Sequence, residues 1–269
     1  MDKLRRILII ATNAYRESVR DKILYNIVFI AVGLSIFSIV LGEWSVFDRA
    51  HVIKAVTLSL MSISGLFISV FVGISLVQKE IQRRTVLTLL SKPLHRSEFV
   101  LGKYFGLLAV MATHLLLLTT LFYFILWSTN SSPDLGLLSA VFLIFCEMSI
   151  VIAFAMLFSS FSTPVMSSLF TLGVYAGGHL TDQLLAQVRF VKNVGGSEMV
   201  ANHSALMEFM AVWVNRILPM LYRFNISQQV IHQLPIPHGY FFWSVLYAIG
   251  YNAILLTIAS WWFGRRDFL

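Results

Sequence analysis

Glu147 is the one acidic side chain that lies deep within an apolar run of this sequence. A lone carboxylate in hydrocarbon costs about a few kcal/mol, so it must face protein or water, or carry a proton. His114, in another apolar run, is a candidate partner. The pair could relay a proton or a cation. The plainer reading, which we prefer, is a hydrogen-bonded packing residue at a helix or subunit interface. Ser62-Ile63-Ser64-Gly65 and Gly177-Gly178-His179 supply a serine near a glycine and a histidine elsewhere, the parts of an intramembrane protease. A serine nucleophile needs a base within hydrogen-bond reach, and nothing in the sequence brings these two together. Gly65, Gly73 and Gly177 are equally the small residues that close helix packing in lipid requires.

Other chemistry is excluded more firmly. Gly102-Lys103 is followed by Tyr104, without a Ser or Thr, and no glycine stands five residues before Gly102. The chain therefore has no phosphate-binding loop of the usual kind. It has no His-Glu-x-x-His zinc motif, and its seven histidines are scattered. The single cysteine, Cys146, excludes an intrachain disulfide and a cysteine-based metal site. As a small residue in an apolar run it needs no function. No catalytic residue, metal ligand or cofactor site is assigned to this chain.

The elements that hold these residues are membrane spans. The 269 residues are 58% hydrophobic and 12% charged, against about 25% charged in a soluble domain. Apolar segments run from end to end, so one membrane domain is expected. The net charge of +7 reads as membrane flanks and not as a nucleic-acid surface, because the charges sit between the apolar runs. A bilayer needs about 20 apolar residues per helix. On that measure the sequence predicts an all-α polytopic fold with six transmembrane helices: Ile23–Leu41, Ala55–Val77, Leu101–Trp127, Leu137–Phe158, Pro164–His179 and Tyr240–Phe263. The fifth is short for a crossing. Thr163-Pro164 reads as a cap and first-turn proline, giving a tight hairpin between spans four and five. Lys54, at the far end of span two, is expected to snorkel to the interface.

Between spans two and three lies a charged island, Lys79 to Glu98. Ile81, Thr85, Val86, Leu89 and Leu90 form a narrow semi-apolar face, and Arg83 and Arg84 point elsewhere. Pro93 ends the helix, since the residue before a proline is pushed out of helical geometry. Ser97 can cap the third span, with Glu98 in its first turn. The plain alternative is a Lys/Arg-rich loop that serves topology alone. The N-terminal flank, the island with Lys103 just beyond it, and the tail hold 14 of the 20 basic residues, which places both termini and the island in the cytoplasm. Residues 1–21 show Leu4, Ile7, Leu8, Ala11, Tyr15 and Val19 at helical spacing, as in an amphipathic helix lying in the interface. An ordinary charged flank is the alternative. The segment Leu180–Gly239 is too long for a bare connector. Leu206–Leu221 within it reads as short extracytoplasmic helices dipping back toward the bilayer before the sixth span.

At the island the chain resembles a known family. Lys79-Glu80-Ile81-Gln82-Arg83-Arg84-Thr85, Leu89-Leu90-Ser91-Lys92-Pro93 and Arg96-Ser97-Glu98-Phe99-Val100-Leu101-Gly102-Lys103 resemble the signature of ABC-2 type transporter permeases. Ser160-Phe161-Ser162-Thr163-Pro164 resembles that family's turn between spans four and five, Glu147 an acidic residue common before it, and Phe263-Gly264-Arg265-Arg266-Asp267-Phe268 its usual ending. The long loop departs from shorter members. The resemblance implies a membrane subunit of an ATP-driven exporter in the cell inner membrane. No cofactor would bind this chain; ATP and Mg would bind a separate cytoplasmic ABC ATP-binding subunit. A second permease, in a homodimer or a heterodimer, would complete the membrane part. Residues 1–21 would be the connecting helix and 22–269 the six-span domain. A coupling helix over about 80–92 would contact the ATPase through Glu80, Arg83, Arg84, Thr85, Leu89, Leu90, Lys92, Pro93 and Arg96. The alternative within this architecture transmits force across the membrane without moving a substrate. An intramembrane enzyme or channel is the remaining alternative.

Overall fold

The computed structural model describes residues 3–44, 49–82, 96–129, 136–194, 218–237 and 239–265, with the backbone alone at 80–82, 96, 181–194 and 263–265. Lipid offers no partner for backbone N–H and C=O groups, so an element crossing it must satisfy them internally. Every regular element among the described residues is accordingly helical. In chain order these are α1 (Lys3–Val19), α2 (Lys22–Trp44), α3 (Arg49–Phe67), a π turn (Ile68–Val72), α4 (Gly73–Gln82), α5 (Arg96–Ser128), α6 (Gly136–Phe161) and α7 (Pro164–Val194). A 3₁₀ turn (Leu221–Phe224), α8 (Ser227–Ile231) and α9 (Tyr240–Arg265) follow.

Five stretches are long and apolar enough to cross a membrane: Lys22–Trp44, Arg49–Lys79, Ser97–Ser128, Gly136–Phe161 and Tyr240–Trp262. They coincide with five of the six expected spans. The expected fifth span does not stop near His179, nor does a loop begin at Leu180. Both lie within α7, which continues to Val194. The physical reason is in the sequence: no glycine or proline interrupts 180–194, and Leu184, Leu185, Val188 and Val191 recur at helical spacing. Gly195-Gly196 is the first stop signal. Helical pieces expected from Leu206 fall mostly on residues 195–217, outside those described. Residues 218–237 contain the 3₁₀ turn and α8, whose Leu221, Phe224, Val230 and Ile231 are buried. α5 begins at Arg96, so Ser97 sits inside the first turn instead of ahead of it. Thr163 does precede α7 as a cap residue, its carbonyl accepting the Ser167 N–H at 2.9 Å.

α6 is the axis of the body. Its side chains from Cys146 to Leu157 are all buried, which a helix achieves only when other helices cover it on every side. α5, the α3–α4 run, α7 and α9 supply that cover. α2 packs through one stripe of mostly small residues, Leu24, Ala31, Ser35, Ser38 and Gly42, which lets its backbone approach α3. Phe29, Ile30 and Trp44 on α2, and Phe242, Trp243 and Ile254 on α9, are exposed. An outer surface this apolar is suited to acyl chains and not to water. Hydroxyls inside the spans are largely satisfied by their own helix: Ser35 donates to Ala31 O, Ser69 to Gly65 O and Ser160 to Leu157 O.

The body has two ends. Asp21, the end of α4, the start of α5 and the α6–α7 turn meet at one, which we call the island end. The α2–α3 turn, the 3₁₀ turn and α8 meet at the other, the loop end. α7 links them: Phe170 packs on Phe158 near the first, and Gly178 approaches the Pro219 carbonyl at the second.

Candidate functional site

Two constellations stand out, one at the island end and one deep beneath the loop end. Of the residues assigned to ATPase contact, Arg83, Arg84, Thr85, Leu89, Leu90, Lys92 and Pro93 lie outside the described residues. Glu80 falls in the last turn of α4 and Arg96 in the first of α5. What is visible is how the entrance to the island is seated.

Gln78, one turn before α4 ends, donates from Nε2 to the carbonyls of Ser159 (3.1 Å) and Ser162 (2.9 Å). These are carbonyls at the C-terminal end of α6, where a helix leaves acceptors without intrahelical donors. One amide thus ties the second span to the α6–α7 turn. The next residue, Lys79, reaches Asp21 Oδ2 at 2.7 Å, and Ser75 donates to the same oxygen at 3.3 Å. Asp21 Oδ1 accepts the Ile23 N–H at 3.1 Å, so this carboxylate also caps α2. Burial raises the Asp21 pKa, but the Lys79 ion pair and the Ile23 and Ser75 hydrogen bonds outweigh it, and the net value falls below the usual 3.8. Nothing in the sequence reading singles out Asp21 or Gln78. The available signal was their position, a polar residue at each apolar boundary.

α1 lies beside the start of α5 and runs in the same direction. Arg6 pairs with Glu98 (3.5 Å). Ile10 then faces Gly102, and Ala14 faces Gly106. Lys103 reaches Glu17 at 3.3 Å. A Cβ built on Gly102 or Gly106 would come within 2.6 Å of Ile10 or Ala14, so only glycine permits this approach. The face toward α5 is led by Ile10, Ala14 and Ser18. Leu4 and Leu8 are exposed on a different face of α1. Gly102 and Gly106 are spaced four apart, the small-residue signal for close helix packing, a pattern present in the sequence itself.

Beneath the loop end, Glu147 is 1% exposed on α6. The histidine beside it is His179 of α7, whose Nε2 lies 3.3 Å from Oε1. His114 is engaged elsewhere: its Nε2 is 2.9 Å from Ser64 Oγ. Ser64 donates its one proton to Leu60 O at 2.6 Å, so His114 donates to Ser64 from Nε2. His179 Nδ1 faces the Tyr175 carbonyl at 3.2 Å. A carbonyl only accepts, so Nδ1 carries hydrogen. Tyr175 OH in turn meets Ser62 Oγ at 3.2 Å. The arrangement thus joins α3, α6 and α7 through Ser62, Tyr175, His179 and Glu147. It opens on a cavity of about 110 Å³ between α3, α6 and the segment around α8.

The serine–histidine–glycine ingredients of a protease do not assemble into one. Ser62 meets a tyrosine and Ser64 meets His114, while His179 meets a carbonyl and a carboxylate. Lys54 does not snorkel outward; it is 6% exposed, turned inward with Ile53 and Thr57 on the packed side of α3. No group of three or more His, Cys, Asp or Glu suited to a metal occurs among the described residues.

A helical body with an apolar exterior, five candidate crossings and a polar centre buried at mid-chain defines a multi-pass membrane protein. Comparison with known sequences gives its family. Residues 8–268 match the ABC-2 family transporter proteins, and the chain belongs to that family. No curated protein matches it. It is therefore an ABC permease, a transmembrane protein of transport, and the resemblance carried by the island motifs holds over nearly the whole sequence.

Proposed function

We propose that this chain is the membrane-spanning permease of an ATP-driven exporter. A separate cytoplasmic ATP-binding subunit, holding ATP and Mg, docks on the coupling segment 80–92 and on Arg96. α7 supplies the sixth crossing, both termini face the cytoplasm, and two permeases form the membrane part in the cell inner membrane. Family membership supports the permease role. The observation that carries the coupling role is the seating of α4. Directly before the island, Gln78 holds the α6–α7 turn and Lys79 holds the α1–α2 turn. A displacement of the island would be delivered to two helix pairs at once, not dissipated in a loose loop. Such coupling needs an element with two arrangements, and the π turn Ile68–Val72 in the same span is a place where a helix can change register.

The test is co-purification. Glu80→Ala combined with Arg84→Ala should insert normally and lose its ATP-binding partner. Unchanged recovery of that partner would sink the assignment.

A further inference from the structure

The Glu147 cavity has a chemistry that neither family membership nor ATPase docking calls for. Its wall carries the Glu147 carboxylate, the hydroxyls of Ser59, Ser62 and Ser227, and the amides of Asn225 and Gln228. All six offer oxygen. Ser59, Asn225 and Gln228 are exposed at the mouth, whereas Glu147 is 1% exposed at the floor. Glu147 Oε1 accepts no hydrogen bond among the described residues: the approach of His179 at 3.3 Å is off the line of one. A buried carboxylate oxygen without a hydrogen bond thus faces an oxygen-lined cavity.

The proton inventory sharpens this. His179 Nδ1 holds a hydrogen for the Tyr175 carbonyl, so a neutral His179 has no N–H left for Glu147. A carboxylate this deeply buried with an unpaired oxygen is costly as an anion, so Glu147 and His179 hold one proton between them when nothing else occupies the cavity. The titratable groups facing Glu147 are His179 and Tyr175, both from α7. The cavity walls from α3 and from the segment around α8 contribute only hydroxyls, amides and apolar groups. A positive ligand would remove the need for that proton.

We propose that this cavity binds a small cation, with Glu147 as its counter-charge, in exchange for the proton held by Glu147 and His179. Both a monovalent metal ion and the ammonium head of a small amine share the required chemistry. The first takes several hard oxygen ligands; the second has three N–H donors for carboxylate, hydroxyl and amide oxygens. Size excludes larger ligands: about 110 Å³ holds a few water-sized groups, whereas drug-sized ligands need roughly 300 Å³ or more. On entry the cation meets Asn225 and Gln228, then the serines, then Glu147. The proton leaves through the same mouth, so charge in the cavity is unchanged.

The full chain in nanodiscs, without any ATPase, is titrated with sodium chloride and separately with methylammonium chloride, in N-methylglucamine background and weak buffer. Calorimetry reads binding and a pH dye reads proton release. Saturable binding of either cation with about one proton released supports the proposal; sodium alone assigns a metal ion, and methylammonium alone assigns an amine. Affinity should weaken up to tenfold per unit of falling pH where proton and cation compete. Glu147→Gln should abolish both signals. Should that variant fail to fold, Ser59→Ala, at the exposed mouth, should weaken binding several-fold. Binding of neither cation, binding without proton release, or full affinity in folded Glu147→Gln or in Ser59→Ala would overturn the proposal. The outcome is independent of the coupling reading, because no ATP-binding partner is present.

Discussion

Substituting Gly106 by alanine isolates the contact between α1 and α5. The added Cβ would lie 2.6 Å from the Ala14 Cβ and 2.7 Å from the Ala11 carbonyl oxygen. Carbon atoms in contact sit about 3.5–4.0 Å apart, so α1 must withdraw by about 1 Å. Neither obstacle is the end of a flexible side chain, so it cannot swing aside. Overpacking of this kind costs about 1–3 kcal/mol. Alanine also favours helix over glycine by about 1 kcal/mol, but α5 stays helical whether α1 is docked or not, and that gain cancels. The docking equilibrium should therefore shift by roughly 5- to 150-fold. Amide hydrogen exchange over Lys3–Val19 reads it, because exchange there follows local opening. Gly106→Ala should lower protection in α1 by that factor and leave α6 unchanged. Gly250→Ala is the control: nothing lies within 4 Å of its Cβ, and protection in α1 should stay as in the parent. Equal protection of α1 in Gly106→Ala and the parent would refute the close-packing argument.

Two further substitutions address the seat of α4. Gln78→Leu removes both hydrogen bonds to the Ser159 and Ser162 carbonyls and should cost about 1–3 kcal/mol; thermal unfolding in detergent should show a lower midpoint, while Gln78→Asn, with its shorter reach, should fall between. Asp21 has a folded pKa below its unfolded value, so its contribution is complete above about pH 4–5 and is lost as pH falls through the lower folded value. Acid unfolding of the parent should therefore show a stability loss below about pH 4 that Asp21→Asn lacks, with the variant less stable than the parent at pH 7.

The spans were legible because lipid imposes one requirement, a run of about 20 apolar residues, and because Lys and Arg mark the boundaries. The α6–α7 turn was legible for a local reason, a proline behind a threonine. Relations between helices were not. Whether His114 or His179 meets Glu147 depends on the rotation of α5 and α7 about their own axes, and nearly uniform apolar faces carry no phase information. The same ambiguity hid the inward turn of Lys54. The extent of α7 was misjudged because His179, Thr181, Asp182 and Gln183 break the apolar run without breaking the helix. Hydropathy reports where lipid ends; only glycine and proline report where a helix ends. Gly102 and Gly106 were readable by spacing alone, yet they open the third span next to the charged island, and nothing in the sequence names α1 as the helix they admit.

The π turn at Ile68–Val72 has a bearing on ancestry and engineering. It holds one residue more than an α-helical turn would over the same rise, so the two halves of the span are out of step by about one position, or 100° of rotation. Ser62, with its contact to Tyr175, lies before this phase slip, and Gln78 and Lys79, with theirs, lie after it. Excision of a single residue there would straighten the helix, keep its hydropathy, and turn one set of contacts away from its targets. The span behaves like a combination lock with two dials on one shaft, and chimaeras spliced on either side of the slip must inherit it to keep both ends engaged.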